Sequence, residues 1–236
     1  MLVISHRGAS GYAPENTMNA FQLAVDMKAD GIELDLHLTK DGEVVICHDD
    51  DVERTTNGHG LIKELTLAQL RSLDAGSWYD ESFSGASIPT LREFMTFAAG
   101  TGMLINLEIK NIPYYHKGIE EKVVRSVLEH DMLDRVIISS FDHYALAETA
   151  RLAPSIKLGV LFSTRLIDPW DYARRLPFDV HSLHPHFSFV DEAYIRQSHE
   201  HGYKVYPYTV NDPEWAKPLA LKGLDGVITN YPDCFL

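Results

Sequence analysis

The sequence predicts a single α/β domain over residues 1–236, folded as a (β/α)8 TIM barrel. Short apolar, β-branched runs alternate with helical patterns along the chain, which is typical of parallel βαβ units. Eight such runs are present, as a closed barrel requires, and the length of 236 residues is that of a small barrel domain. An open, doubly wound sheet uses the same local pattern and stays an alternative at this stage.

The predicted strands are short and rich in β-branched residues, and they lie near residues 2–6, 32–38, 103–109, 135–139, 157–161, 179–183, 204–209 and 225–229. Predicted helices show apolar residues at three- and four-residue spacing, and they cover residues 17–28, 118–131, 142–153, 190–202 and 212–223. The last two end in Gly202 and Gly223, and glycine is the residue that most often terminates a helix.

One interval is too long for a simple strand-to-helix connection. It runs from about residue 49 to 90, whereas such connections usually have about 2–6 residues. We interpret it as a small insertion after the second β unit. Because it follows the most acidic strand and contains Trp78, Tyr79 and Phe83, we expect it to form a cap or wall over a site.

The composition is that of an ordinary globular protein, with 45% hydrophobic and 23% charged residues. The net charge of −13 argues against nonspecific binding to nucleic acid, which depends on clustered Lys and Arg. The first residues do not resemble a secretory signal, and no apolar run reaches the roughly 18 residues of a membrane span. We therefore expect a cytoplasmic protein without stable membrane insertion, in which Cys47 and Cys234 are reduced thiols.

The second predicted strand places acids where a buried strand is expected. Glu33, Asp35 and His37 alternate with the apolar residues Ile32, Leu34, Leu36 and Leu38. Since strand side chains point to opposite faces with period two, one face is apolar and the other anionic. Carboxylates at such a short separation repel each other and resist desolvation. This face therefore needs a compensating cation or a wet, functional cavity.

A later strand has the same arrangement. In "LINLEIK" the residues Asn106, Glu108 and Lys110 share the face opposite Ile105, Leu107 and Ile109. In a barrel, polar residues near strand C-termini point toward the mouth. We expect Glu33, Asp35 and Glu108 to converge there into an all-oxygen site for Mg²⁺ or Ca²⁺. Zinc is less expected because no cysteine pattern is present, although nearby histidines keep it open.

Two histidines stand out because they follow strands at the predicted mouth. His6 ends the first strand, and His48 follows "EVVIC". An imidazole with an ordinary pKa near 6.5 can act as a general base or a general acid at neutral pH. For most other histidines we expect no chemical role, including His59, His116, His130 and His201.

Arg7 and Lys110 would supply local positive charge for a phosphate group, in a chain that is otherwise acidic. Either could instead pair with Glu15 or Glu108. A cation, two basic residues and two histidines together favour phosphoryl chemistry, in which the positive charges stabilise developing negative charge and the imidazoles move protons. No Walker loop or dinucleotide-binding glycine motif indicates ATP or NAD.

These residues, with their motifs and order, resemble the glycerophosphodiester phosphodiesterases. The resemblance rests on "HRG", "PENT", "ELD", "HD", "LEIK", "YTVND" and "GVITNYPD", and it covers nearly the whole chain. It implies a (β/α)8 barrel that hydrolyses diesters such as glycerophosphocholine and glycerophosphoethanolamine to sn-glycerol 3-phosphate and an alcohol. It looks like the cytoplasmic bacterial type of the family.

The resemblance also implies roles for single residues. It makes Glu33, Asp35 and Glu108 the metal ligands, His6 the base and His48 the acid, with Arg7 and Lys110 at phosphate-contacting positions. The chain departs from the family pattern at Tyr208, where tryptophan is frequent, and at Asn230, where aspartate is frequent. The preferred headgroup, the physiological metal, the oligomeric state and the nucleophile, water or the glycerol hydroxyl, stay open at this stage.

Two other functions are compatible with the same residues. The first is a related metal-dependent phosphodiesterase of the phospholipase D type that acts on lysophospholipids, since a fold does not determine its reaction. A longer apolar approach to the site would favour it. The second is a noncatalytic ligand-binding barrel, which would be expected to lack a histidine or a carboxylate of the set that this chain retains.

Overall fold

The barrel is confirmed by a computed structural model, which describes residues 1–236. Its strands are β1 Leu2–His6, β2 Gly31–Leu38, β3 Val44–Ile46, β4 Leu104–Ile109, β5 Val136–Ser140, β6 Lys157–Phe162, β7 Ser182–Pro185, β8 Lys204–Val205 and β9 Gly226–Thr229. All except β3 are parallel and follow one another in the order β8-β7-β6-β5-β4-β2-β1-β9. The fold is therefore a mixed α/β structure with eight parallel strands.

The sheet closes between its eighth and ninth strands through residues that lie beyond the end of β8. The N–H of Ile228 donates to the carbonyl of Pro207 at 3.0 Å, and the N–H of Val210 donates to the carbonyl of Ile228 at 2.8 Å. We predicted a strand over 204–209, but regular pairing ends at Val205. Proline has no N–H to donate, so it interrupts a central strand while its carbonyl still accepts.

The predicted seventh strand is shifted along the chain. We predicted residues 179–183, and β7 begins at Ser182. Pairing with β6 already starts one residue earlier, since the N–H of His181 donates to the carbonyl of Leu158 at 2.9 Å. Strand ends are the least certain part of a prediction from periodicity.

The five predicted helices are confirmed within a few residues, and three others were not predicted. The helices are α1 Met18–Asp26, α2 Leu67–Arg71, α3 Leu91–Ala99, α4 Ile119–Glu129, α5 His143–Leu152, α6 Pro169–Arg174, α7 Glu192–Glu200 and α8 Pro213–Ala220. The sequence analysis missed α2, α3 and α6. A signal for α3 was present, because Thr90 and Glu93 form a capping box at its start.

The apolar faces of the barrel strands pack against the helices, as the alternation predicted. Ile32 and Leu107 belong to one buried cluster with Phe21 of α1 and Phe94 of α3. The rings of Phe21 and Phe94 meet edge to face with centroids 4.7 Å apart, a preferred geometry for aromatic pairs. This packing turns the opposite faces of β2 and β4 toward the barrel interior.

An antiparallel hairpin returns the chain to the mouth of the barrel. β3 pairs with the end of β2, with Leu36 opposite Ile46 and Leu38 opposite Val44. Cys47 N–H also donates to the carbonyl of Asp35 at 3.0 Å. His48 is thereby held beside the end of β2.

The interval 49–90 contains short elements rather than a plain loop. They are 3₁₀ turns at Ile62–Glu64 and Glu81–Phe83, together with α2. A small apolar cluster, separate from the main core, joins this interval to β3 through Val45, Cys47, Val52, Ile62, Leu70, Ala75 and Ile88. Tyr79 O–H donates to the carbonyl of Gly11 at 2.8 Å, so the interval contacts the loop that follows β1.

Both cysteines are free, Cys47 in a buried position and Cys234 in an exposed one. Burial raises the pKa of the Cys47 thiol to about 12, which suits an inert structural cysteine. None of the helices has the length and apolar character that crossing a membrane would require.

Candidate active site

Three carboxylates meet at the C-terminal ends of two neighbouring barrel strands. Glu33 and Asp35 lie on β2, and Glu108 lies on β4 directly beside Asp35 in the register. One ligand oxygen from each falls within 4.8 Å of the others, and all three residues are buried. The predicted convergence is thus present in the structure, and the group could hold a divalent cation.

The three carboxylates differ in how firmly they hold a proton. Burial and the negative charges of Asp35 and Glu108 raise the pKa of Glu33 well above its usual value. Burial also raises the pKa of Glu108, although the charge of Lys110 opposes it. For Asp35 the positive charges of Lys110 and Arg7 outweigh burial and hold the pKa well below its usual value. Three negative charges at this spacing therefore need a cation to coexist.

The donor chemistry around the cluster also suits a hard cation. Asn16 donates from its amide nitrogen to Asp35 Oδ2 at 2.9 Å, which leaves its carbonyl oxygen buried without a hydrogen-bond partner. Asn106, beside Glu33 in the register, likewise has a buried amide oxygen without a partner. An all-oxygen surrounding of this kind fits Mg²⁺ or Ca²⁺ better than zinc.

Arg7 and Lys110 make the acid contacts that the sequence analysis named as alternatives to phosphate binding. Arg7 Nη1 donates to Glu15 Oε1 at 2.8 Å, and its Nε lies 3.3 Å from Asp35 Oδ2. Lys110 Nζ lies 2.9 Å from Glu108 Oε1 and 3.5 Å from Asp35 Oδ1. Each cation therefore belongs to the carboxylate cluster, and each keeps about 15% of its side chain exposed at the mouth.

The backbone after β1 is folded tightly to bring these groups together. Arg7 and Asn16 both have a backbone φ of +57°, and Gly8 has +78°. Residues other than glycine rarely adopt this left-handed region. The N–H of Arg7 donates to Glu33 Oε2 at 3.0 Å, and the N–H of Asn16 donates to the carbonyl of Arg7 at 3.0 Å. A Cβ at position 8 would lie 2.6 Å from the backbone of Ala20, so Gly8 permits close packing on α1.

His6 is held at the rim of the carboxylate cluster by an amide. Its Nδ1 lies 2.7 Å from Asn230 Oδ1, and its Nε2 lies 4.0 Å from Glu33 Oε2. Because an amide oxygen only accepts, Nδ1 carries the proton and Nε2 keeps its lone pair. Burial and the charge of Arg7 lower the pKa of His6 to about 3, so the imidazole is neutral at pH 7.

His48 lies in a more polar setting. Its Nδ1 is 2.6 Å from Asp49 Oδ1, and a third of its side chain is exposed. Burial and the charges of Arg7 and Lys110 lower the pKa of His48, whereas Asp35 and Asp49 oppose this effect. The two histidines therefore have different partners, an amide for His6 and a carboxylate for His48.

A chain of ion pairs connects the surroundings of His48 with Arg7. Arg54 Nε donates to Asp49 Oδ2 at 2.7 Å, and its two terminal nitrogens donate to the two oxygens of Glu15 at 2.8 Å each. Glu15 in turn accepts from Arg7. Because a planar guanidinium with two such contacts has a defined orientation, Arg54 restrains Asp49 beside His48.

Two further histidines lie beneath this region without touching the carboxylates. His37 Nδ1 is 3.1 Å from His116 Nε2, and His37 Nε2 is 3.3 Å from the carbonyl of His48. Both rings are buried. His37 thus contacts the backbone of His48, and His116 contacts His37, a structural position of the kind that the sequence analysis expected for His116.

Comparison with known proteins identifies the family. The model of the glycerophosphoryl diester phosphodiesterase family matches residues 6–234. The chain belongs to this family. A glycerophosphodiester phosphodiesterase from Caldanaerobacter subterraneus is 42% identical over 100% of this chain and 96% of its own length. One from Bacillus subtilis is 36% identical over 100% of this chain and 85% of its own.

Solved structures of the family have the same fold. A phosphodiesterase from Oleispira antarctica, in complex with its product sn-glycerol-3-phosphate, has a TM-score of 0.88 and 37% identity over 100% of this chain and 95% of its own. A glycerophosphodiester phosphodiesterase from Agrobacterium tumefaciens has a TM-score of 0.85 and 27% identity, covering 100% and 98%. The chain is therefore an enzyme with glycerophosphodiester phosphodiesterase activity, and the noncatalytic alternative is set aside.

Several residues that hold the others in position were not predicted from the sequence. They are Glu15, Asn16, Asp49, Arg54 and Asn230. Asn230 was noted only as a departure from the family pattern, and Glu15 only as a possible partner of Arg7. Asn16 and Asp49 lie within "PENT" and "HD", so their motifs were a signal without a role attached. Arg54 had no local signal, because Glu15 is 39 residues away from it in the chain.

Proposed function

We propose that this enzyme hydrolyses glycerophosphodiesters such as glycerophosphocholine and glycerophosphoethanolamine to sn-glycerol 3-phosphate and an alcohol, in a reaction that depends on a divalent cation. The observation that carries the proposal is the buried group of Glu33, Asp35 and Glu108, with Arg7 and Lys110 in contact with it. The product bound by the Oleispira antarctica relative supports the same substrate class.

Glu33, Asp35 and Glu108 would hold the cation, either Mg²⁺ or Ca²⁺. When bound, such a cation stabilises negative charge on a phosphoryl oxygen. Burial and the charges of Asp35 and Glu108 raise the pKa of Glu33, and Glu33 would lose its proton when the cation binds. Lys110 and Arg7, which now compete for Asp35, would then be available to the phosphate through their exposed edges.

His6 would act as the general base. Its Nε2 is the nitrogen that keeps a lone pair, because Asn230 accepts from Nδ1. Its lowered pKa keeps it unprotonated at neutral pH, as a base requires at the start of the reaction. The nucleophile that it deprotonates is either water or the adjacent glycerol hydroxyl.

His48 would act as the general acid toward the leaving alcohol. An acid must carry an extra proton, and Asp49 favours the imidazolium through its 2.6 Å contact with Nδ1. Arg7 and Lys110 lower the pKa of His48. A phosphate that binds these two cations would offset their charge, so substrate binding itself would raise the pKa of the acid.

The interval 49–90 would form one wall of the mouth within a single catalytic domain of residues 1–236. Its contacts with Gly11 through Tyr79 and with Glu15 and Asp49 through Arg54 support this role. The rings of Trp78, Tyr79 and Phe83 pack edge to face along it. We therefore assign the interval to substrate selection rather than to metal binding.

The test is release of sn-glycerol 3-phosphate from glycerophosphocholine by chelated protein, before and after addition of Mg²⁺ or Ca²⁺. We expect metal-dependent release that Glu33→Ala lacks. His48→Ala should lower kcat by about 10²-fold or more, whereas His59→Ala, on an exposed side chain, should have no effect. Release that survives chelation and Glu33→Ala would disprove the metal assignment, and an unchanged rate in His48→Ala would disprove the acid.

The nucleophile can be identified with the same variant. If the glycerol hydroxyl attacks, a 1,2-cyclic phosphate should accumulate while His48→Ala turns over slowly. If water attacks, sn-glycerol 3-phosphate should form directly, and no cyclic phosphate should be detected at any time during a single turnover.

A further inference from the structure

The backbone of His48 is held by a single buried side chain. The last backbone hydrogen bond between the strands of the hairpin is the one from the N–H of Cys47 to the carbonyl of Asp35. Beyond it, the carbonyl oxygen of His48 lies 3.3 Å from Nε2 of His37, and no other hydrogen bond in the structure reaches this oxygen. His37 lies on β2 and is 1% exposed. One imidazole is therefore the hydrogen-bond partner of the candidate acid's backbone.

This contact determines the tautomer of His37 and of the ring behind it. A carbonyl oxygen only accepts, so Nε2 of His37 carries the proton and donates it. Burial lowers the pKa of His37 to about 4, so at pH 7 its Nδ1 keeps a lone pair. That lone pair faces Nε2 of His116 at 3.1 Å, which must therefore donate. The two rings meet edge to face with centroids 5.2 Å apart.

His116 is in turn fixed by an asparagine that follows the strand β4. The backbone N–H of His116 donates to Oδ1 of Asn111 at 2.7 Å. Nδ2 of Asn111 donates to Glu120 Oε1 on α4 and to Asp142 Oδ2 at the start of α5, at 3.2 Å each. Because both ends of the buried amide are in use, its orientation is defined. A chain of hydrogen bonds thus runs from His48 to two helices of the barrel.

The pair of imidazoles is more polar than packing at this place requires. His37 and His116 come from segments 79 positions apart in the chain, and both rings are buried. Burying polar groups costs free energy that their hydrogen bonds only offset, and apolar side chains would fill the same space without that cost. Departures of this kind from an apolar interior are expected where a side chain serves a functional site.

We propose that His37 and His116 are positioning residues for the reaction, which hold the backbone of His48 so that its imidazole reaches the leaving alcohol. This inference rests on the proposed function, in which His48 is the general acid. Asp49 acts on the ring of His48, whereas His37 acts on its carbonyl. Loss of the histidine pair should therefore impair proton transfer to the alcohol and spare the binding of the phosphate.

The test compares two diesters of sn-glycerol 3-phosphate that differ only in the leaving group. In both, the P–O bond to the leaving group breaks. Choline is a weakly acidic alcohol whose oxygen needs the proton of the acid, whereas p-nitrophenol is acidic enough to leave as its anion. We expect His37→Leu to lower kcat for choline release by about 10- to 10²-fold, with little change in KM or in the release of p-nitrophenolate. Equal losses on both diesters would overturn the proposal.

Three further variants separate positioning from a general structural role. His37→Gln keeps an N–H donor and should restore most of the choline release. His143→Leu is the matched control, because Nε2 of His143 lies 3.1 Å from the carbonyl of Leu161 at the same end of the barrel, and it should leave the ratio of the two rates unchanged. His116→Leu should lower choline release, yet add nothing to His37→Leu, because it acts through His37. Losses that multiply would refute the role of His116.

The tautomers of the unchanged enzyme test the contacts even where a variant does not fold. Long-range proton–nitrogen NMR correlations should show His37 and His116 protonated at Nε2 at pH 7, and a proton on Nδ1 of His37 would overturn the proposal. His48→Ala distinguishes this inference from the proposed function. If His48→Ala slows both diesters equally, the acid assignment itself is wrong. If it slows only choline release and the folded His37→Leu does not, this inference alone is wrong.

Discussion

Asn230 Oδ1 lies 2.7 Å from Nδ1 of His6, although the two residues are 224 positions apart in the chain. They meet because β1 and β9 are parallel neighbours, with Ser5 opposite Thr229. An amide at this position orients the imidazole without adding a negative charge of its own. The departure from the family pattern at residue 230 thus falls on the partner of the candidate base.

Asn230→Asp should raise the pKa of His6. A carboxylate at hydrogen-bond distance favours the protonated imidazole, by about one to three pH units, from the present value of about 3. Since a base must be unprotonated, the acidic limb of kcat/KM should move to higher pH by a similar amount. The pH profiles of the two proteins measure this, with Asn57→Asp, at an exposed position of the interval 49–90, as a control. Superimposable acidic limbs would contradict the contact.

Arg54→Met should lower kcat with less effect on KM. The change removes the two contacts that restrain Asp49 and Glu15, so His48 loses its defined orientation, and small misplacements of a reacting group can cost about 10²-fold. Arg54→Lys should restore little, because an ammonium cannot make the same paired contacts.

The matched control for Arg54 is Arg151→Met. Arg151 makes an equally well-formed pair with Glu148, but on the exposed surface of α5, where such pairs contribute little to stability. Its activity should equal that of the unchanged enzyme. If both variants lose the same activity, the loss in Arg54→Met does not come from His48.

Metal removal should destabilise the protein more as the pH rises. The folded-state pKa of Glu33 lies well above its usual 4.5, so the stability that its protonated form contributes is complete below about pH 4.5 and is lost as pH rises through the folded value. A bound cation replaces that proton. At one hundred times its dissociation constant it would add about 2.7 kcal/mol, or roughly 5–10 °C in Tm for a chain of this size.

Thermal unfolding with chelator or with Mg²⁺, at pH 5 and pH 8, measures this effect. The gain in Tm from Mg²⁺ should be larger at pH 8 than at pH 5. Glu33→Gln should remove both the gain and most of the pH dependence of the chelated protein, while Glu129→Gln, on an exposed helix position, should remove neither. An equal gain at both pH values would show that Glu33 does not exchange its proton for the metal.

Trp78→Ala should change substrate preference more than metal affinity. Deletion of residues 52–86 would also remove Arg54 and much of the small apolar cluster, so a single change at a side chain that is 38% exposed is the sharper test. The ratio of kcat/KM for glycerophosphocholine and glycerophosphoethanolamine should shift several-fold, whereas the dissociation constant for Mg²⁺ should stay within about twofold. Equal losses of both would contradict a wall over the mouth.

Much of the barrel could be predicted because its information is local. Glu33 and Asp35 alternate with apolar residues that are their neighbours in the chain. This alternation correctly predicts which face of the strand packs on helices and which faces the mouth. Two of the three missed helices are short, since α2 has five residues and α6 has six. α3 has nine residues and a capping box, so its signal was present in the sequence and was overlooked.

The sequence analysis proposed seven site residues, and the structure brings all seven to one end of the barrel, while their roles stay predictions. The spacing of residues in the sequence does not show whether Arg7 and Lys110 pair with acids, because this depends on distances in the folded protein. Both pairings are present in the structure. Asp49, the partner of His48, is bound by Arg54, which lies in an insertion whose path cannot be inferred from periodicity.

By itself, the sequence determined the fold class, the family and the acidic strand at its centre, because strand periodicity and short motifs act between residues that are neighbours in the chain. The tertiary structure alone decided how the barrel closes through Pro207 and Ile228, and which partner each histidine has. These contacts join residues that are far apart in the chain, and their energies depend on separations of a few ångströms that only the folded packing sets.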